Sequence, residues 1–169
     1  MMPLFIVTGA SCAGKSTLCN LLFQKETEYI VMESDLLWNG IYNTPEDGYR
    51  AYRELWLRVC AQISQIGKPV VLCGCCTPEQ FETAQGRKLF SVLHYLAVVS
   101  DDAVFEERMR NGRHVTDEKW IQSSLQFNRW LRDNAARTNP PLQLLDTTHL
   151  SPEEAACQLD CWILERIGN

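Results

Sequence analysis

The chain of 169 residues predicts an α/β fold: three layers, with helices on both faces of a five-stranded parallel sheet. Short apolar runs alternate with helical segments along the whole length, the pattern that crossover helices impose on a parallel sheet. The third of these runs, residues 69–73, reads Pro-Val-Val-Leu-Cys without interruption, as strands buried on both faces do. The first run is followed at once by Gly9-Ala10-Ser11-Cys12-Ala13-Gly14-Lys15-Ser16-Thr17, which fits G-x-x-x-x-G-K-[ST], a pattern that requires a strand before it and a helix after it.

The elements follow in order. Residues 3–7 form the first strand, and residues 17–23 carry Leu18, Leu21 and Leu22 at helical spacing in a helix that starts near Lys15. Residues 29–32 make a second strand. Residues 51–66 place Tyr52, Leu55, Val59, Ile63 and Ile66 at the period of an amphipathic helix, which Gly67-Lys68-Pro69 stops. After the third strand come a short helix over 78–85 and a fourth strand over 92–99. A helix over 101–110 opens with acidic residues that suit its dipole, and a longer one covers 117–135. Residues 142–145 are the fifth strand. Ser151-Pro152-Glu153-Glu154 is a capping box with proline at the first helical position, opening a last helix that runs to about residue 167. No repeat, linker or low-complexity stretch divides the chain, so residues 1–169 read as one domain.

Composition excludes several classes. Hydrophobic content of 46% with 22% charged residues is ordinary for a globular protein, and a net charge of −5 disfavours a nucleic-acid polymer as partner. No apolar run approaches the length of a signal peptide or a membrane span, which points to a cytosolic protein with no membrane partner. The eight cysteines include the cluster Cys73-Gly74-Cys75-Cys76, but no histidine follows at zinc-finger spacing. Cys60, Cys157 and Cys161 fall on helix faces where cysteine acts as a small hydrophobe. Cys12 lies inside the glycine-rich loop beside a lysine and a helix N-terminus, conditions that lower a thiol pKa.

That loop defines the first candidate site. Its glycines let backbone N–H groups turn inward, and the helix beginning near Lys15 adds its positive end. Lys15 is expected to reach the β- and γ-phosphates of ATP, and the Ser16 hydroxyl to ligate Mg²⁺. In open α/β sheets ligands bind beyond the carboxyl ends of the strands, where the second strand ends in Glu33-Ser34-Asp35. Residues two apart on a strand project to one side, so both carboxylates are expected to face the crevice. Asp35 is assigned to the acceptor hydroxyl and Glu33 to the outer shell of the metal. A second role for Asp35, capping a helix that begins at Leu36, is compatible with the first.

On these residues the chain resembles, over nearly its whole length, the small-molecule and nucleoside or nucleotide kinases of the P-loop superfamily. Shikimate and gluconate kinases carry D-x-D at this strand end, the second member contacting the acceptor hydroxyl; Glu33 and Asp35 match it here. The resemblance implies a P-loop NTPase fold with strand order 2-3-1-4-5, an acceptor-binding segment over about 35–58 and a mobile lid over about 108–137. One departure stands out. Cys73-Gly74-Cys75 replaces the aspartate expected at the end of the third strand, so a Walker-B carboxylate is missing there, as it is in shikimate-kinase-like members.

Residues 107–113, Glu-Arg-Met-Arg-Asn-Gly-Arg, resemble the arginine-bearing start of the family's lid. Arg108 and Arg113 are candidates to stabilise charge on the transferring phosphoryl group, and Arg110 to stack on the base. Arg129, Arg132 and Arg137 either close on the phosphates or lie on a solvated helix face. Asp146-Thr147-Thr148 resembles the loop that brackets adenine in these kinases, or is an ordinary turn.

For the acceptor, Trp38 and Tyr42 lie off the main apolar stripe and are the pocket candidates, whereas Tyr52 and Trp56 read as core. Arg50 and Arg53, three apart on one helix face, suit a carboxylate or phosphate. Gly74 and the residues up to 78 are expected to line the acceptor site closely, and His94 reads as a core histidine. A GTPase switch would need an N/T-K-x-D element and a D-x-x-G turn that are not in place, and a non-catalytic nucleotide-binding module would have no need of Asp35. The expected function is therefore ATP-dependent transfer to a small-molecule acceptor, a nucleoside or nucleotide first, a sugar acid or antibiotic hydroxyl second.

Overall fold

The computed structural model describes residues 1–25, 28–38 and 45–168. Five parallel strands, β1 (Leu4–Thr8), β2 (Ile30–Glu33), β3 (Val70–Gly74), β4 (Leu93–Val99) and β5 (Gln143–Asp146), lie in the order β2-β3-β1-β4-β5. Six helices connect and follow them: α1 (Lys15–Lys25), α2 (Arg50–Ile63), α3 (Pro78–Glu82), α4 (Asp102–Glu107), α5 (Glu118–Asn134) and α6 (Pro152–Ile167). No described helix is long and apolar enough to cross a membrane.

β1 is central because every one of its residues can be buried. Leu4 registers with Val70 on one side and Leu93 on the other. Its alternating side chains feed two cores. Phe5 and Val7 pack with Leu18 and Leu22 of α1 and Leu159 of α6, while Leu4 and Ile6 pack with Tyr52, Trp56 and Leu57 of α2. Complete burial of such side chains contributes about 1.5–3 kcal/mol each.

Several boundaries differ from expectation for local reasons. The helix expected over 51–66 ends at Ile63; its last turn tightens into a 3-10 turn, Ser64–Ile66, and Gly67 at φ +86° ends it. The helix expected over 101–110 ends at Glu107 and passes into a π-helical turn, Arg108–Gly112. Of the segment expected as a lid, α5 belongs to the core: Ile121, Leu125 and Leu131 are buried, and Asn128 exchanges hydrogen bonds with the backbone of Ser100 at 2.8 and 3.3 Å. The part outside regular structure is 113–117.

Candidate active site

At the carboxyl end of the sheet, Gly9 follows β1 because nothing larger fits: a Cβ there would meet the Val98 carbonyl at 2.8 Å. The loop then turns through Cys12 at φ 68° and Gly14 at φ 99° into α1. Lys15 arches back over it, donating to the carbonyls of Gly9 and Ala10 at 2.8 Å each. Cys12 does not have the lowered pKa expected of it. Burial raises the thiol, and the opposing charges of Arg113 and Lys15 do not overcome this.

Three cavities open around this loop. One, of about 270 Å³, is lined by Ala13, Gly14, Thr17, Arg108, Arg113 and Thr147. A second, of about 720 Å³, brings Ser11, Lys15, Ser16, Asp35, Trp38 and Arg113 to one cleft. The third, of about 220 Å³, is walled by Trp38, Tyr49, Tyr52 and Trp56, with Arg53 and Gly74. The first two share Cys12, Gly14 and Arg113, and the last two share Trp38 and Cys75, so the three cavities are neighbours, with Asp35 and the phosphate-loop lysine lining the middle one.

Asp35 is placed by a 3-10 turn, Ser34–Leu37, that begins as soon as β2 ends. The period-two relation expected between Glu33 and Asp35 therefore breaks at Ser34. Asp35 lines the middle cleft, whereas Glu33 lies against the buried Cys19, which Cys73, burial and Glu33 together hold above the ordinary thiol range. Nor is Asp35 a helix cap, because it sits inside the turn, at whose start Glu33 is the cap residue and makes no side-chain cap bond. The Ser34 carbonyl accepts hydrogen bonds from the Tyr52 hydroxyl and, at 3.0 Å, from Trp56 Nε1. Tyr52 and Trp56 are buried as expected, but their polar tips also hold the segment that carries Asp35. Their i, i+4 spacing signals a core stripe and gives no hint of this second contact.

Gly74 is required by Ser34, whose Oγ lies 2.5 Å from where a Cβ would stand. Beyond it, the Thr8 hydroxyl donates to the Cys76 carbonyl at 2.6 Å and accepts from Cys76 N at 3.0 Å, tying the end of β1 to the loop after β3. Cys73 and Cys76 point into opposite cores, so this cluster presents no shared metal site, and none appears among the described residues. Cys157 and Cys161 are exposed, contrary to the apolar-face expectation.

The arginines separate. Arg108 donates to Thr147 Oγ1 and to its carbonyl, both at 2.8 Å, and lines the first cavity without lining the middle cleft. Arg113 lines both. Arg110, expected at the base, instead pairs with Glu106 at 2.7 Å and with Glu118 at 2.5 Å and lines neither cavity. Arg129 and Arg132 face Asp102 at 2.6 and 3.5 Å. On the acceptor side Arg53 lines the aromatic cavity: Nη1 donates to the Gly48 carbonyl at 2.8 Å, and its buried Nε has no partner among the described residues. Arg50, expected beside it, is exposed at the start of α2 and does not line that cavity. Tyr42 lies outside the described residues. Cys75, within the stretch expected to line the acceptor site, lines the middle cleft, as do Trp120 and Asp117, which were not singled out for it from the sequence.

The five-stranded parallel sheet in the order β2-β3-β1-β4-β5, with helices on both faces, is a fold shared with solved structures of kinases. No protein-family model matches the sequence, and no curated protein matches it. Solved structures are similar throughout. A sugar kinase from Janibacter sp. HTCC2649 superposes with a TM-score of 0.72 at 17% identity, over 99% of this chain and 98% of that one. The tunicamycin resistance protein of Deinococcus radiodurans gives 0.68 at 16% identity over 96% of each chain. Shikimate kinase from Acinetobacter baumannii, solved with shikimate, gives 0.60 at 16% identity over 98% of this chain and 95% of that one.

Proposed function

We propose that the protein is a phosphotransferase that moves the γ-phosphoryl group of ATP, with Mg²⁺, to a hydroxyl or phosphate of a small molecule, a nucleoside or nucleotide being the acceptor. The observation that carries this reading is that Lys15, Ser16, Arg113 and Asp35 line one cleft, which shares wall residues with a cavity at Thr147 and with a cavity of aromatic rings. The donor set fits a metal-bound triphosphate, since an ammonium, a guanidinium, a hydroxyl and a helix N-terminus converge there. The Ser16 hydroxyl would hold Mg²⁺, and the ion would neutralise phosphate charge.

The chain's own groups then divide the work. Lys15 exchanges its loop carbonyls for phosphate oxygens, and Arg113 and Arg108 are the candidates to stabilise charge spread over the transferring group. Asp35 accepts the proton of the acceptor hydroxyl as its oxygen bonds to the γ-phosphorus and the bond to ADP breaks. Thr147, tied to Arg108, borders the site for the base. A sugar-acid or antibiotic acceptor is the second reading, favoured by Arg53 Nε, which has no partner among the described residues, and by the kinases and resistance protein of similar fold.

ADP release from Mg·ATP, measured across nucleosides, nucleoside monophosphates, sugar acids and hydroxylated antibiotics, tests the reading. One class should stimulate strongly, and Lys15→Ala should abolish the stimulated rate. A flat response across the panel with ATP bound would favour a non-catalytic nucleotide-binding module.

A further inference from the structure

We infer that the acceptor carries a planar ring and that Trp38 and Trp120 grip this ring beside Asp35; the inference rests on the phosphotransfer reading above. Indole side chains are normally well covered in folded proteins. Trp38 and Trp120 are 48% and 45% exposed, and both line the cleft that holds Lys15, Ser16 and Asp35. They reach it from separate elements. Trp38 closes the 3-10 turn after β2, and Trp120 stands in the first turn of α5.

The Trp38 ring is held by neighbouring rings, and the backbone that carries Trp120 is held by a helix cap. The Trp38 ring meets Tyr52 edge-on at 5.2 Å and Tyr49 at 5.3 Å. The backbone N–H of Trp120 donates to Asp117 Oδ1 at 3.2 Å, the same carboxylate atom that accepts from Lys119 N at 2.9 Å. Rigid aromatic surfaces bind at low cost in conformational entropy, and an indole π-face stacks on a planar heteroaromatic ring. The cleft is also lined by Arg113, His114, Val115 and the carboxylates of Asp35 and Asp117.

The experiment uses the full chain saturated with Mg²⁺ and a non-hydrolysable ATP analogue, so that the donor site is filled. Binding of uridine, thymidine and guanosine is compared by calorimetry with that of methyl riboside, gluconate and shikimate, and quenching of tryptophan fluorescence is followed in parallel. The inference predicts that a ring compound binds and quenches while the three non-aromatic compounds do not. Trp120→Ala and Trp38→Ala should each weaken that binding about tenfold or more, with Trp120→Phe restoring most of it and the ATP analogue bound equally by all. Gluconate or shikimate binding as tightly as any nucleoside, no ring compound binding, or unchanged binding in Trp120→Ala would each overturn it. Loss of ATP-analogue binding in the unsubstituted chain would instead sink the phosphotransfer reading, so the two failures are distinct.

Discussion

Asp35 is exposed and sits in a short turn, so its position depends on what holds Ser34. The Ser34 carbonyl takes hydrogen bonds from Tyr52 and Trp56, and its side chain rests against Gly74. Removing both donors in Tyr52→Phe/Trp56→Phe leaves a buried acceptor unsatisfied and should cost about 1–3 kcal/mol of stability in urea unfolding. Turnover should fall while the KM for ATP stays constant, because the phosphate loop is untouched. Gly74→Ala forces the Ser34 side chain aside by steric contact alone. It should likewise lower kcat with ATP binding preserved, and an unchanged kcat in both variants would detach Asp35 from this support.

At the scale of elements, the π-helical turn Arg108–Gly112 sorts three arginines that the sequence spaces almost evenly. Within and just after this turn Arg110 faces Glu106 and Glu118, while Arg108 and Arg113 line the cavity. π-Helical turns gather at functional sites. Arg113→Ala is expected to lower kcat/KM by about 10²–10³-fold, whereas Arg110→Ala should leave it within about twofold in the same assay. The sequence could not rank these residues, because an arginine run reads alike whether it faces phosphate or acidic neighbours. The turn after β2 was hidden for a similar reason: alternation marks a strand but not the residue at which it stops, so Glu33 and Asp35 were expected on one side.

For the molecule as a whole, the sheet was legible because its central strands β1, β3 and β4 are buried on both faces and therefore read as plain apolar runs, and the phosphate loop because its glycines and lysine leave little latitude. Less legible were contacts between distant residues, such as Thr8 with Cys76 or Trp120 with the cleft, which depend on how the layers close. His94 shows how that closure couples to pH. It stacks on Phe5 at 5.0 Å, and burial, with Arg166 adding repulsion, lowers its pKa from 6.5. The unfolded chain therefore takes up the proton first, and this contribution to stability is complete above about pH 7 and declines as pH falls through about 6.5. Urea midpoints between pH 7.5 and 5.5 should fall, and His94→Phe should flatten that dependence. The most direct test of the central claim is acceptor-stimulated ADP release by the unsubstituted protein and by Asp35→Asn, with ATP binding measured alongside. The account predicts intact ATP binding and a stimulated rate lower by about 10²–10⁴-fold in the variant; equal rates in the two proteins would contradict it.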